Sequence, residues 1–404
     1  MHSIRYIWWL NPINIYIVIT LVAVYAFSIS EQSYWSLYQV QGKYVDLPFL
    51  GIYLISAFLF CYGCYTAKDN YGTNINKAIF LENTCDVLFK ITMLAYVIWF
   101  SRFIMLNGLS SLFSFVNPSV LSEKNVAFIR QSSGRIPGLT TMTEFGVIVA
   151  PLSVVLYRLT YNAKYKKMFF ILCFIACIRS DLFSERLALM EILVPSFIVF
   201  AAFRNYNILY TFFPLCAVFF LLIAFGVFEY SRSWKAYYMN VYEGTYVKFV
   251  IDRVLGYYTI AVNTECTRLH FYDAPFFPTL TFQWLWKFPL LDKIPSFFNS
   301  TSNVHVGENM LELYGNPEFN NPGGMLTFVQ DFSFLGLPLS FIFGRIVGIL
   351  YKAFKRGFLE GVLLYPICVL CLIELPRYFY FGNNRACFVL IGMIVVYKKI
   401  NRIV

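Results

Sequence analysis

The residues of this chain that can do chemistry are its arginines, because of where they fall. Arg130, Arg135, Arg179, Arg186, Arg232, Arg253, Arg268, Arg377 and Arg385 all sit in connections that the charge pattern places on one side of an apolar frame. The opposite connections carry mostly lysine: Lys164, Lys166 and Lys167, then Lys352 and Lys355, then Lys398 and Lys399. Lysine-rich turns follow the positive-inside rule, whereas arginines on the other side run against it. The guanidinium is planar, stays charged and forks onto carboxylate or phosphate with two parallel hydrogen bonds. An arginine-rich face beside a membrane predicts an anionic ligand, with a lipid pyrophosphate the first candidate. Pairing with acids of the same face, or with lipid headgroups, is the competing explanation for any single arginine.

Three constellations stand out. Arg179-Ser-Asp-Leu-Phe-Ser-Glu-Arg186 follows an apolar run, Met168–Ile178, of only 11 residues. That is about 16 Å of helix, roughly half a bilayer. The spacing predicts a hairpin tip that is recessed or reached by a tilted helix. If it is helical, Arg179 and Arg186 lie two turns apart on nearly one face, and charges at membrane depth are functional candidates. The second constellation is Arg135-Ile-Pro-Gly138, a turn-rich lip closing the 107–138 loop. The third is the pair Arg377 and Arg385 flanking a turn, with Glu374 one helical turn before Arg377 and placed to pair with it. Asp331 could position a hydroxyl nucleophile, but pairing with an arginine is its first reading. No phosphate-cradling Gly-Lys-Ser/Thr loop, zinc-type histidine spacing or Asp-x-Asp pair occurs, so neither a metal nor another cofactor is expected.

The elements that must position these residues are apolar helices. Of 404 residues 59% are hydrophobic, 20% aromatic and only 13% charged, which predicts an all-α polytopic membrane protein. We read about ten transmembrane helices (range 10–12), near 11–29, 48–66, 86–106, 139–159, 166–181, 186–203, 208–229, 325–350, 360–378 and 384–398. The run Ile13–Ser28 reads as a first span and not as a cleavable leader. Residues 1–229 carry seven spans and 325–404 three more, all part of one integral domain. Between them, 230–324 reads as a folded cap holding seven Lys/Arg and eight Asp/Glu. The net charge of +10 therefore arises in the anchoring turns, which argues against nucleic acid. Within the cap, Tyr246–Asn263 has helical amphipathic spacing. Trp284–Phe298 mixes aromatics with lysines and prolines, fitting either a membrane interface or sugar stacking. The ten cysteines fall mostly in apolar runs and read as packing residues; only Cys266 lies clearly in the cap.

With these pieces in order, the chain resembles the oligosaccharide repeat-unit polymerases (O-antigen polymerases) of bacterial surface polysaccharides. The matching pieces are Arg135-Ile-Pro-Gly138, Phe183-Ser-Glu-Arg186-Leu-Ala-Leu, Arg253-Val-Leu-Gly-Tyr-Tyr258 and Asp331-Phe-Ser-Phe-Leu-Gly336, together with a large loop late in the chain. Arg135 followed by Gly146 also has the Arg-x10-Gly spacing of some members. The second copy expected in the large loop is missing, since Glu243 stands eleven residues after Arg232 and Gly244 comes one place late. The resemblance implies a GT-C-like membrane glycosyltransferase in the bacterial inner membrane, with both termini cytoplasmic and the active face and cap loop periplasmic. It implies undecaprenyl-pyrophosphate-linked oligosaccharides as donor and acceptor, inversion at the anomeric carbon, the bilayer as surroundings and a chain-length regulator as a possible partner. Arg179 and Arg186, assisted by Arg253 and Arg268, would hold the donor pyrophosphate, with Arg232 nearby. Arg135, Arg377 and Arg385 would line a second lipid site, and His270, His305 or an acid such as Glu308 would be the base for the acceptor hydroxyl. A ligase-like transferase and a flippase for lipid-linked oligosaccharides are the alternative readings.

Overall fold

In a computed structural model of the chain, residues 7–68, 72–108, 135–182, 185–205, 207–230, 234–235, 237–287, 291–297 and 310–402 are described. Among them the structure is helical, with two isolated β-bridges, Asn74↔Phe358 and Gly323↔Tyr378. The main helices are α1 (Pro12–Ser28), α2 (Glu31–Tyr38), α3 (Leu47–Thr66), α4 (Glu82–Asn107), α5 (Gly146–Thr160), α6 (Ala163–Leu182) and α7 (Arg186–Ala202). They continue with α8 (Phe213–Glu229), α9 (Tyr246–Phe271), α10 (Thr327–Phe332), α11 (Leu337–Arg356), α12 (Leu359–Glu374) and α13 (Ala386–Asn401). Among the described residues four helical stretches are long and apolar enough to cross a membrane: Leu47–Thr66, Ile75–Asn107, Thr140–Thr160 and Thr327–Arg356.

Local sequence explains where the helices begin. Asn11 caps α1 by accepting from the Ile13 amide, and Asp46 caps α3 by accepting from the Phe49 amide; each is followed by a proline in the first turn. The centre of the bundle is α5 and α12, whose residues are nearly all buried. Around them α1, α3, α6 and α8 turn large apolar side chains outward, among them Leu21, Phe58, Phe174 and Phe219. An outward apolar belt of this kind is what hydrocarbon solvates and water does not.

The tightest helix pair is α3 with α11. A Cβ on Gly344 would stand 2.1 Å from the Phe60 carbonyl oxygen, and one on Gly63 would stand 2.2 Å from that of Phe341. Glycine at both positions lets the backbones touch, and Ser56 and Ser340 hydrogen-bond across the seam at 3.0 Å. Small residues and hydroxyl bridges of this type hold helices together where apolar burial gives no advantage over lipid.

Interhelical contacts sort the connections into two ends. At one end the Tyr44 amide donates to Asn263, Asn316 donates to the Tyr38 carbonyl, Trp284 donates to the Phe381 carbonyl, and Gly323 pairs with Arg377. At the other, Thr73 donates to Glu360, Lys164 pairs with Asp86, and Trp9 donates to the Tyr210 carbonyl. Among the described residues the turns carrying Arg377 and Arg385 belong to the first group of contacts, and the turn carrying Lys164 belongs to the second.

Two expectations need correction. The segment before Arg179 is no half-length run, because α6 continues from Ala163 to Leu182, about 30 Å. Its polar first turn, with Lys164 and Lys166, is as helical as the apolar part. Arg179 and Arg186 also do not share a helical face: the chain breaks between them, leaving Arg179 in the last turn of α6 and Arg186 at the start of α7. The predicted amphipathic cap helix is present and longer, reaching Phe271.

Candidate functional site

Arg179 organises the arginine-bearing end. Its guanidinium donates to Glu144 at 2.8 Å, to Glu185 at 3.0 Å and to the Thr143 hydroxyl at 3.2 Å, and it lies over the Trp99 ring. Thr143 and Glu144 come from the 3-10 turn Thr140–Phe145 that leads into α5. Arg385, just before α13, reaches the same group: Glu191 at 2.7 Å, Glu185 at 3.2 Å and Glu144 at 3.3 Å. Tyr380 donates to the other oxygen of Glu191 at 2.9 Å, and Arg135 from the lip pairs with Glu185. Three arginines and three glutamates thus converge from five elements. Every buried carboxylate there is paired, as burial in a low-dielectric interior requires. For Arg385, burial works against the charge, but Glu191 and Glu144 outweigh it and its pKa rises.

The cap is fastened to the bundle by two buried carboxylates. Asp331, in the last turn of α10, accepts from the Thr279 hydroxyl (2.7 Å), the Leu280 amide (2.9 Å) and the Thr281 amide and hydroxyl (both 2.7 Å). Glu265 of α9 accepts from Tyr53 of α3 (2.8 Å), the Leu326 amide (2.7 Å) and the Gln330 side chain (2.8 Å). Burial raises the Glu265 carboxyl to about 7 despite those three donors.

One turn beyond Glu265 lies Arg268. With Leu269, Tyr272, Asp273, Thr279, Leu280 and Gln330 it lines a cavity of about 30 Å³, room for one or two waters. The Arg268 guanidinium makes no hydrogen bond or ion pair among the described residues. Burial lowers its pKa, and Glu265 is the main counterweight. Gln330 leaves its carbonyl oxygen without a donor in the same region. Of the nine arginines singled out in the sequence, six have described side chains, and the five other than Arg268 each meet a carboxylate.

The expected site residues therefore separate into groups. Arg135, Arg179 and Arg385 meet on Glu185, although the sequence reading divided them between two lipid sites. Arg377 stands apart and pairs with Glu374 at 2.9 Å, as the spacing predicts. Arg253 lies in a second, aromatic cleft, bonded to Glu318 and packed on Tyr238 and Phe319. Asp331 meets hydroxyls and amides and no arginine. Its lone pairs are filled and it is fully buried, a poor arrangement for a general base. His270 is exposed and makes ring contacts with Tyr44 and Phe271. His305, Glu308 and Arg232 lie outside the described residues, as does the side chain of Arg186. Sequence reasoning missed Glu144, Glu191 and Tyr380. The signal for the two acids was a carboxylate within an otherwise apolar span. Among the described residues no three His, Cys, Asp or Glu side chains converge in a metal-binding group.

No family model matches the chain, and neither does any curated protein or solved structure. The functional reading rests on the chemistry of this end alone.

Proposed function

We propose that the chain is a membrane glycosyltransferase that polymerises undecaprenyl-pyrophosphate-linked oligosaccharide repeat units into a surface polysaccharide. In this reading ten helices (α1, α3 to α8, and α11 to α13) alternate between the two ends. Both termini lie at the lysine end, in the cytoplasm, and the capped arginine end faces the periplasm of a bacterial inner membrane. The observation that carries the proposal is Arg268, a partly buried guanidinium that has no hydrogen-bond or ion-pair partner among the described residues and lines a cavity under the cap.

In the reaction the acceptor hydroxyl attacks the anomeric carbon of the donor sugar, the bond from that carbon to the pyrophosphate oxygen breaks, and the configuration inverts. In this reading the water-sized cavity widens to admit the donor, and Arg268 stabilises the charge that develops on the leaving pyrophosphate. Asp273 lines the same cavity and is the carboxylate at hand to take the proton from the acceptor. The ionisable residues favour this reading over transport. Glu144 precedes α5, Arg179 ends α6 and Glu191 lies about 8 Å into α7, so the charges gather near one end and not at mid-span.

The test is to incubate the purified protein with its lipid-pyrophosphate-linked repeat unit and look for a ladder of products on a gel. A ladder that is lost in a folded Arg268→Ala variant supports the reading. Absence of a ladder, with movement of the same substrate across liposomes, overturns it in favour of a flippase.

A further inference from the structure

Glu185 is held differently from the other two glutamates of the cluster. Glu144 and Glu191 are 3% and 1% exposed and come from regular helical turns, where each satisfies a buried guanidinium. Glu185 lies between α6 and α7, its side chain is 13% exposed, and three arginines converge on it from separate elements. Arg179 bonds it through Nε and also approaches through a terminal nitrogen at 2.9 Å, Arg385 comes from the turn before α13, and Arg135 comes from the lip. Arg135 is itself 53% exposed, so the group opens to the surface on that side. Glu185 occupies the N-cap position of α7, yet its side chain caps nothing. Helix capping therefore does not account for its position, and an acid would serve α7 no worse if it pointed away.

A carboxylate surrounded by three guanidiniums is what a bound phosphate looks like, with one fewer oxygen and less charge. We propose that Glu185 is a built-in stand-in for a phosphate group, and that Arg135, Arg179 and Arg385 form an anion site which a phosphate-bearing ligand occupies by displacing it. When Glu185 swings out, Arg179 keeps Glu144 and Arg385 keeps Glu191, so neither buried arginine is stranded. Among the described side chains of this cluster three arginines then face two glutamates, a balance that favours an anion. In the resident state Glu185 neutralises the site and keeps it closed to chloride and weak anions. The ligand class is a phosphate or pyrophosphate, free or as a lipid headgroup. Only the identity of the lipid rests on the function proposed above.

The experiment is binding to full-length protein in nanodiscs, with inorganic pyrophosphate as one probe and a polyprenyl phosphate in the bilayer as the other. Wild type, Glu185→Gln, Arg135→Ala and the double variant are compared. Glu185→Gln removes the competing charge and should tighten binding by about tenfold or more, while Arg135→Ala in that background should reverse the gain. A gain with both probes means that free phosphate suffices; a gain with the lipid alone means that the membrane supplies it. Either supports the site. No gain with either probe overturns it. Should Glu185→Gln fail to fold, Arg135→Ala, altered at an exposed position, carries the test: it must weaken pyrophosphate or lipid binding relative to wild type, and unchanged binding overturns the proposal. Failure here with a product ladder intact leaves the polymerase reading standing. Anion binding without a ladder leaves this site standing and removes the polymerase.

Discussion

Asp331 separates an anchoring role from a catalytic one, and its replacement decides between them. Alanine at this fully buried position removes the acceptor that four donors share among the described residues: the Thr279 and Thr281 hydroxyls and the Leu280 and Thr281 amides. The hydroxyls can turn elsewhere, but the two main-chain N–H groups cannot. Each buried donor left alone costs about 1–3 kcal/mol, so Asp331→Ala should destabilise the fold by about 4 kcal/mol. Asparagine keeps one oxygen. Placed on Thr281 it holds that amide and, at 3.1 Å, the Leu280 amide as well, while Thr279 can reverse its hydroxyl and accept from the new NH2. Asp331→Asn should therefore lose only about 1–2 kcal/mol, the charge assistance of those bonds. Thermal melting in detergent, followed by tryptophan emission, reads the overall loss of stability, to which Trp284 and Trp286, just beyond the anchored residues, contribute. Limited proteolysis at 279–287 should accelerate in Asp331→Ala. Transfer activity of the folded Asp331→Asn protein should stay within a few-fold of wild type. A melt of Asp331→Ala that coincides with wild type would refute the anchor. Loss of activity by 100-fold or more in a normally stable Asp331→Asn would show instead that the carboxylate acts in the chemistry.

Three further predictions follow from other contacts. Gly344→Val drives a branched side chain into the Phe60 carbonyl, 2.1 Å from where even a Cβ would stand, and should destabilise the α3–α11 seam by about 3 kcal/mol or prevent insertion, read as loss of monodisperse protein after detergent extraction. Glu265 has a folded-state pKa of about 7, above its unfolded value of about 4.5, so the native state binds the extra proton between those values and stability falls as pH rises through that window. The melting temperature should be higher at pH 5 than at pH 8, and Glu265→Gln should flatten that dependence; an equal slope in the variant refutes the assignment. Arg385→Ala leaves Glu191 buried and without its cation and should cost about 3–5 kcal/mol, whereas Arg385→Met combined with Glu191→Leu should recover much of that in the same melt.

The helical, apolar character of this protein was legible from its composition and hydropathy pattern. Apolar runs such as 48–66 and 139–159 can be satisfied only as helices in lipid, because hydrocarbon offers the backbone no other hydrogen-bond partner. Lysine turns against arginine turns then predicted two ends, and among the described residues the turns carrying Arg377 and Arg385 fall in one group of contacts and the turn carrying Lys164 in the other. The Arg377–Glu374 pair and the amphipathic start of α9 were also legible, since both depend on spacing within one helix. What the sequence could not decide was partnership across elements. Glu144, Glu185 and Glu191 stand up to 47 positions apart, and Arg385 is 194 residues from Glu191; no periodicity encodes such meetings. The same holds for Asp331, which meets hydroxyls and amides about fifty residues upstream and no arginine. It holds also for Arg268, which only tertiary packing left beside a cavity while other arginines found acids. Within one helix the backbone fixes which residues are neighbours, but between helices packing alone chooses the partner of a charge, and that choice separates a structural arginine from a ligand-binding one.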